Sequence, residues 1–190
     1  IDQGTSGTTV MAFDQTLQPL AHAYRKLESY HPQAGWVEQR PEEIIASVVE
    51  AVAEVLEKLP DTKIEAVGLT NQGESVLAWD AKTLEPLTPI IVWSDRRASK
   101  LAEDLAKLHG ERVRELTGLE LSDYFCASKY AWLLQNNSEV QQAAKRGTLH
   151  FGTLDSWMAL KFGSLDHISD TSTASRTQLL GLQSGQWEQE

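Results

Sequence analysis

Asp2-Gln3-Gly4-Thr5-Ser6-Gly7-Thr8-Thr9, running directly into Val10-Met11-Ala12-Phe13, decides how this chain is read. One tight turn holds a carboxylate, two glycines and four hydroxyl side chains, and it opens at once onto an apolar strand. Glycines let a backbone approach closely and take positive φ. Amide N–H groups and hydroxyls exposed in such a turn can cradle an anion, and phosphate above all. A carboxylate at the mouth, here Asp2, can hold the magnesium ion that accompanies a nucleotide, usually through water. An ordinary Gly/Ser/Thr hairpin has the same make-up, and the turn alone does not separate the two readings.

Working outward, Leu20 to Leu27 reads as the return strand after a turn at Asp14 to Pro19. Pro41 stands where the first helical turn favours proline, with Glu42 and Glu43 on the positive end of the dipole. Ile44, Ile45, Val48, Val49, Val52, Leu56 and Leu59 follow at helical spacing and predict one buried face. Glu54 and Lys58 can pair across a turn of that helix, and Pro60-Asp61 ends it. Ile64 to Thr70, Ser75 to Trp79 and Ile90 to Trp93 read as further strands. Ser94 or Asp95 can cap a helix whose buried stripe is Ala98, Leu101, Leu105 and Leu108. A separate short helix over Glu111 to Thr117 ends at Gly118. Lys129 to Gln135 and Val140 to Ala144 are helical, and Leu149 to Phe151 is a strand. Thr153 caps a last helix closed by Gly163. This succession predicts an α/β fold. Its mixed sheet has an antiparallel first three strands, and helices flank it.

Composition narrows the function. A net charge of -10 argues against a nucleic-acid partner, which calls for a basic footprint. No apolar run approaches the roughly 18 residues of a membrane span, so no membrane partner is expected. One cysteine, Cys126, excludes an internal disulfide and a cysteine-based zinc site and fits a reducing, cytoplasmic setting. The five histidines lack metal-ligand spacing. The chain opens on Ile1 without methionine and stops at Glu190 without a terminating element, which predicts a fragment.

Ligands of open α/β sheets bind outside the strand ends, where two more loops fall. Asn71-Gln72-Gly73-Glu74-Ser75 brings hydrogen-bonding side chains and a glycine. Trp93-Ser94-Asp95-Arg96-Arg97 brings an indole face, a carboxylate and two guanidinium groups. Glu74 can accept from polyol hydroxyls and Trp93 can pack on a C–H face. The Asp95–Arg96/Arg97 group reads as structural, a helix start with ion pairs. The chain carries no G-x-x-x-x-G-K-[ST], no G-x-G-x-x-G after a strand and no protein-kinase catalytic loop, so a phosphate site here is of the hairpin type.

Six blocks in order then carry a resemblance: Asp2-Gln3-Gly4-Thr5-Ser6; His31-Pro32 with Gly35-Trp36-Val37-Glu38; Thr70-Asn71-Gln72-Gly73-Glu74; Val92-Trp93-Ser94-Asp95-Arg96-Arg97; Phe151-Gly152-Thr153-Leu154-Asp155-Ser156-Trp157; and Thr173-Ala174-Ser175-Arg176-Thr177. Together they resemble the N-terminal domain of FGGY carbohydrate kinases, nearest to the glycerol kinases. The resemblance implies an actin-like ATPase, ribonuclease H-like fold. It makes residues 1–190 an incomplete N-terminal, substrate- and phosphate-binding domain, with a C-terminal domain outside this chain. It implies ATP and Mg2+ as cofactors. Asp2 would hold the metal, and Thr5, Ser6, Gly7 and Thr9 would lie near the phosphates. Gly73, Glu74, Trp93 and Tyr124 would line the polyol or sugar pocket. The general base would come from beyond Glu190. Two residues depart from the glycerol kinase pattern, Gly73 and Thr9, each standing where those kinases usually have arginine.

The expected activity is ATP-dependent phosphorylation of a polyol or sugar hydroxyl, the fragment alone being inactive. An actin-like or chaperone-like ATPase domain and an inactive kinase homologue are the alternatives. Polyol identity and any homo-oligomer are left open.

Overall fold

The computed structural model describes residues 1–164 and 166–189. In chain order the first half holds β1 (Asp2–Gln3), β2 (Gly7–Phe13), β3 (Pro19–Lys26), β4 (Glu38–Gln39), α1 (Pro41–Glu57), β5 (Thr70–Asn71), β6 (Val76–Asp80) and β7 (Ile90–Ile91). There follow α2 (Ser99–Thr117), α3 (Cys126–Asn136), α4 (Ser138–Arg146), β8 (Leu149–Thr153), α5 (Leu154–Lys161) and α6 (Thr171–Ser175). The chain divides into two compact units, one of Ile1–Ser29 with Gln39–Gln72, the other of Tyr30–Glu38 with the residues from Gly73 onward.

The first unit is built on a four-stranded sheet in the order β3-β2-β1-β5. β1, β2 and β3 are antiparallel neighbours and β5 joins β1 in parallel, which is the mixed sheet expected. Its core is Val10 and Ala23 from the sheet against Ala51 and Val55 from α1. The buried row of α1 is Ile44, Ser47, Val48, Ala51 and Val55, whereas Val49 and Leu56 are exposed. The apolar residues of this helix cover more than one row. Small Ser47 and Ala51 lie on the row that meets the strands, and Val49 and Leu56 lie on its flank. The Glu54–Lys58 pair forms at 2.6 Å, and Arg25 joins Glu54 from β3 at 2.6 Å.

The expected strand from Ile64 to Thr70 is reduced to Thr70–Asn71. Parallel pairing needs a partner. Asp2 pairs with Thr70 and Gln3 with Asn71, the Thr70 amide reaches the carbonyl of Ile1, and the Ile1 nitrogen donates to the Gly68 carbonyl at 2.9 Å. Ile64, Val67 and Leu69 upstream of it are exposed.

The second unit carries a sheet in the order β4-β7-β6-β8, with β6 antiparallel to both β7 and β8. Every residue of β6 is buried. Val76 and Ala78 face a cluster with Ile91, Cys126, Tyr130, Leu133 and Val140. Trp79, from the alternate register, meets the Trp157 indole of α5 at 5.6 Å. The two helices expected around 98–117 are one: Gly110 at the expected break keeps negative φ and is carried within the helix, and Gly118, with a φ of 74°, closes it. Its N-cap position is Ala98, not Ser94 or Asp95, and Leu108 is exposed. Thr153 does occupy the N-cap of α5, but its hydroxyl donates to Asp155 rather than capping an amide. Among the described residues no helix is long and apolar enough to cross a membrane.

Candidate active site

Two groups of side chains can do chemistry, one in each unit. In the first unit, strand alternation sorts the opening hairpin. Asp2 pairs with Thr9 and Gln3 with Thr8 across the ladder, and paired residues share a face. Gln3 and Thr8 are fully buried, Thr8 sharing a hydrogen bond with Ser47 at 2.7 Å. Asp2 on the other face is exposed and Thr9 is half-buried. Among the described residues the Asp2 carboxylate has no hydrogen bond and no ion pair. That suits a group that serves a ligand. It is also the only carboxylate in the hairpin, and among the described residues no cluster of three or more His, Cys, Asp or Glu could hold a metal. A magnesium ion carried in on phosphates needs no more than one or two protein carboxylates, so the residues present fit it.

The turn is held from behind. Gly4 N–H donates to the Gly7 carbonyl at 3.0 Å. The Ser6 carbonyl accepts from Leu27 N–H and from the Tyr24 hydroxyl at 2.8 Å. Gly7 lies against that ring so closely that a Cβ there would stand 2.3 Å from the Tyr24 oxygen. Its first physical requirement is this close approach. Beneath the turn, three glutamines form a buried network. Gln39 Nε2 donates to the Thr5 carbonyl at 2.7 Å, and Gln72 Nε2 donates to Gln39 Oε1 at 2.8 Å and to Gln3 Oε1 at 3.3 Å. The Thr5 hydroxyl donates to Gln72 Oε1 at 3.3 Å.

Gln3 and Gln72 stand in the quoted motifs, but Gln39 carried no sequence signal beyond a polar residue before Pro41. Gln39→Leu removes at once the donor to the Thr5 carbonyl and the 2.8 Å acceptor of Gln72 Nε2. The expected result is a loss of about 1–3 kcal/mol in chemical denaturation. An unchanged midpoint would mean that the network is dispensable.

In the second unit, Glu74 lies just before β6, nearly buried at 8% exposure. Its Oε1 accepts from Arg176 Nε at 2.7 Å. The Arg176 guanidinium stands over the Phe125 ring, 4.8 Å from its centroid. Phe125 meets the Tyr124 ring at 5.2 Å, and Tyr124 meets Trp93 at 5.8 Å. Trp93 N–H donates in turn to Ser75 Oγ at 3.0 Å, beside Glu74. Glu74, Trp93 and Tyr124, expected together, thus stand in one chain of contacts, Trp93 and Tyr124 remaining partly open to solvent. Gly73 adjoins them, and a Cβ built on it would meet nothing within 4 Å.

Three further residues shape this cluster. Arg176 was visible in sequence only as part of a block, because its partner lies 102 residues away. Asp123 accepts from Arg96 at 2.8 Å and from the Ser99 hydroxyl, tying the Trp93 loop to the Tyr124 segment. Lys129, fully buried, donates to the carbonyls of Tyr124 and Phe125 at 2.7 and 3.1 Å. Burial pushes its ammonium pKa down, against the opposing pull of Cys126, Asp123, Asp95 and Glu74. A lysine among Cys126, Tyr130 and Leu133 on one helix face was the available signal for it.

The ion pairs expected of Asp95 and its neighbouring arginines form, though away from the helix N-cap. Asp95 accepts from Val37 N–H at 2.6 Å and from Arg97, which also pairs with Glu38 at 2.7 Å and lies 3.8 Å over the Trp36 ring. Cys126 is buried and its thiol is pushed up to about 12 by desolvation, which disfavours the thiolate.

The model of the FGGY family of carbohydrate kinases, N-terminal domain, matches residues 1–190. A glycerol kinase of Koribacter versatilis is 41% identical over 195 residues, covering 100% of this chain and 39% of that protein. A glycerol kinase of Citrifermentans bemidjiense is also 41% identical, with 100% and 39% covered. Among solved structures, Plasmodium falciparum glycerol kinase with ADP superposes with a TM-score of 0.92 at 31% identity, over 99% of this chain and 38% of that one. The chain therefore spans about two-fifths of the length of the relatives it matches.

Proposed function

The chain belongs to the FGGY family of carbohydrate kinases, with the actin-like fold of that family, and on that premise we propose that its full-length protein transfers the γ-phosphoryl group of ATP to a hydroxyl of a polyol or sugar. The observation that carries this reading is the pairing, within one chain, of two unlike groups. One is a hairpin that exposes a carboxylate with no partner among the described residues, above a turn held by hydrogen bonds. The other is a carboxylate–guanidinium pair beside two part-exposed aromatic rings. The first suits phosphate and its cation. The second suits a molecule with both hydroxyls and C–H faces. A nucleotide switch of the chaperone kind has use for the first and none for the second.

Phosphoryl transfer asks a protein for position and for stabilisation of spreading charge. Asp2 would hold the magnesium ion, with Thr5, Ser6, Gly7 and Thr9 around the phosphates. Bound magnesium would offset charge on the phosphoryl oxygens. The glutamine network keeps the turn from yielding as that charge develops, which is the use of a preorganised donor set. In the second unit Glu74 would accept from substrate hydroxyls, and Trp93 and Tyr124 would pack on the carbon skeleton. Lys129 and Asp123 would fix the Tyr124 segment. A general base is needed to take the hydroxyl proton. We place it, with the adenosine-binding half, in a second domain outside these residues.

The test compares this 190-residue chain with the full-length protein in an ADP-release assay over a polyol and ketose panel. Substrate-dependent ADP release from the full-length protein, with less than about 1% of that rate from the short chain, is expected, since loss of a base alone costs 10²–10⁴-fold. ADP release that ignores every polyol and sugar would favour the conformational ATPase. Equal rates from the two would place the whole machinery within these residues.

A further inference from the structure

We propose that Arg176 is a specificity residue that contacts the substrate directly, its terminal nitrogens donating to one hydroxyl while Glu74 accepts from a neighbouring one. The proposal rests on the kinase reading of this pocket and goes beyond it.

The geometry leaves the two groups half used. Arg176 spends Nε on Glu74 Oε1, and among the described residues neither Nη atom has a hydrogen-bond partner. Glu74 likewise has Oε2 without a partner among those residues. The Arg176 side chain is 37% exposed while the side chain of Glu74 is 10% exposed. The guanidinium is thus clamped at one edge and open at the other. A structural ion pair of this kind is commonly bidentate, with both Nη and Nε engaged. Here the fork is turned so that only Nε is engaged, and donors and an acceptor are left side by side.

The fork is also held still. Its plane rests over Phe125, 4.8 Å from the ring centroid. Its backbone closes α6, whose N-cap Asp170 accepts from Thr173 N–H at 3.0 Å. The next residue, Thr177, accepts at its carbonyl from Ala127 N–H at 3.0 Å, and Gln178 Nε2 donates to the Glu120 carbonyl at 2.8 Å. A guanidinium so fixed loses little freedom on gaining another hydrogen bond. Vicinal hydroxyls match what it presents. One O–H donates a hydrogen bond to Glu74 and the oxygen of the next accepts one from Nη. The ligand class implied is a polyol or sugar with adjacent hydroxyls, rather than a lone alcohol or a carboxylate, which Glu74 would repel.

The experiment uses the full-length protein and measures kcat and KM for the best polyol of the panel and each of its monodeoxy analogues, in wild type, Arg176→Met, Arg176→Lys and Glu74→Gln. In the wild type, removing the hydroxyl that Arg176 serves should cost about 10- to 100-fold in kcat/KM, as for a lost charged hydrogen bond. In Arg176→Met that cost should fall to under about 3-fold at this one position, since the partner is gone. Arg176→Lys, which keeps a charged donor, should restore part of it. Glu74→Gln should flatten the profile at a different hydroxyl. If Arg176→Met lowers every analogue equally, or flattens the same position as Glu74→Gln, direct contact is overturned and Arg176 merely orients Glu74. A melting temperature for each variant separates these outcomes from unfolding, and Arg176→Lys carries the test should Arg176→Met fail to fold. A wild-type protein that phosphorylates no member of the panel overturns the kinase reading and this proposal together. An active wild type with an unchanged deoxy profile in Arg176→Met overturns this proposal alone.

Discussion

Asp2→Ala in the full-length protein is expected to lower kcat by about 10²–10³-fold, the usual cost of deleting one preorganised charge-stabilising group. Stability should stay within about 0.5 kcal/mol of the parent, as for a surface substitution. Both halves of this expectation come from the same facts. The carboxylate is exposed and serves no other described side chain, so nothing in the fold depends on it. The backbone of Asp2 keeps its pairing with Thr9 and Thr70 whatever the side chain. If the carboxylate holds magnesium, Asp2→Asn should also shift the magnesium dependence at saturating ATP to higher concentration, since a neutral ligand remains but its charge does not. Denaturation midpoint, kcat and magnesium titration are measured together. Activity that follows the midpoint down would make Asp2 a structural residue. An Asp2→Ala protein with near-normal kcat would remove the hairpin from the phosphate site.

The opening hairpin and its antiparallel strands were legible in the sequence because they are written in contiguous residues, whereas Glu74, Trp93 and Tyr124, from three separate segments, were grouped only through the family resemblance. Glycines, hydroxyls and an apolar run in succession specify a turn and strand locally, and the strand's period of two then decides which residues point inward. What was missed depends on partners far along the chain. The Ile64–Thr70 run has the composition of a strand, yet only its last residue, Thr70, pairs with β1, and the strand continues into Asn71. In α1 the apolar residues outnumber the positions that meet the sheet, so periodicity offered a wide face, and packing selected the Ser47/Ala51 row within it. Glu74 looked like a carboxylate waiting for hydroxyls. Its arginine partner, like the Gln39–Gln72 pair beneath the turn, becomes visible only once segments 102 and 33 residues apart are brought together.

Gly73 is where sequence and structure meet most usefully. Glycerol kinases usually carry arginine at this place, and the reading of the pocket turns on what its absence does. The structure removes one explanation, that glycine is required for the backbone. Gly73 is not among the glycines with positive φ, and a Cβ there meets no atom within 4 Å. The position is open space. An arginine would fill part of it and donate several fixed hydrogen bonds. The absence of a charged hydrogen bond is worth roughly 1.5–3 kcal/mol, or about one to two powers of ten in kcat/KM. The full-length enzyme is therefore expected to use glycerol poorly and to prefer a longer polyol or a ketose, whose extra carbons occupy the room beside Gly73 while its hydroxyls reach Glu74. Because the space is open, Gly73→Arg should fold normally and move preference toward glycerol by about ten- to a hundredfold. The measurement is kcat/KM for glycerol, erythritol, xylitol, xylulose and ribulose in both proteins. Glycerol emerging as clearly best in the wild type would sink this account of Gly73. The Arg176 variants then say why: a preference for glycerol that vanishes in Arg176→Met would mean that the guanidinium held by Glu74 and Phe125 has taken over from across the pocket the work that glycerol kinases give to the residue before the glutamate.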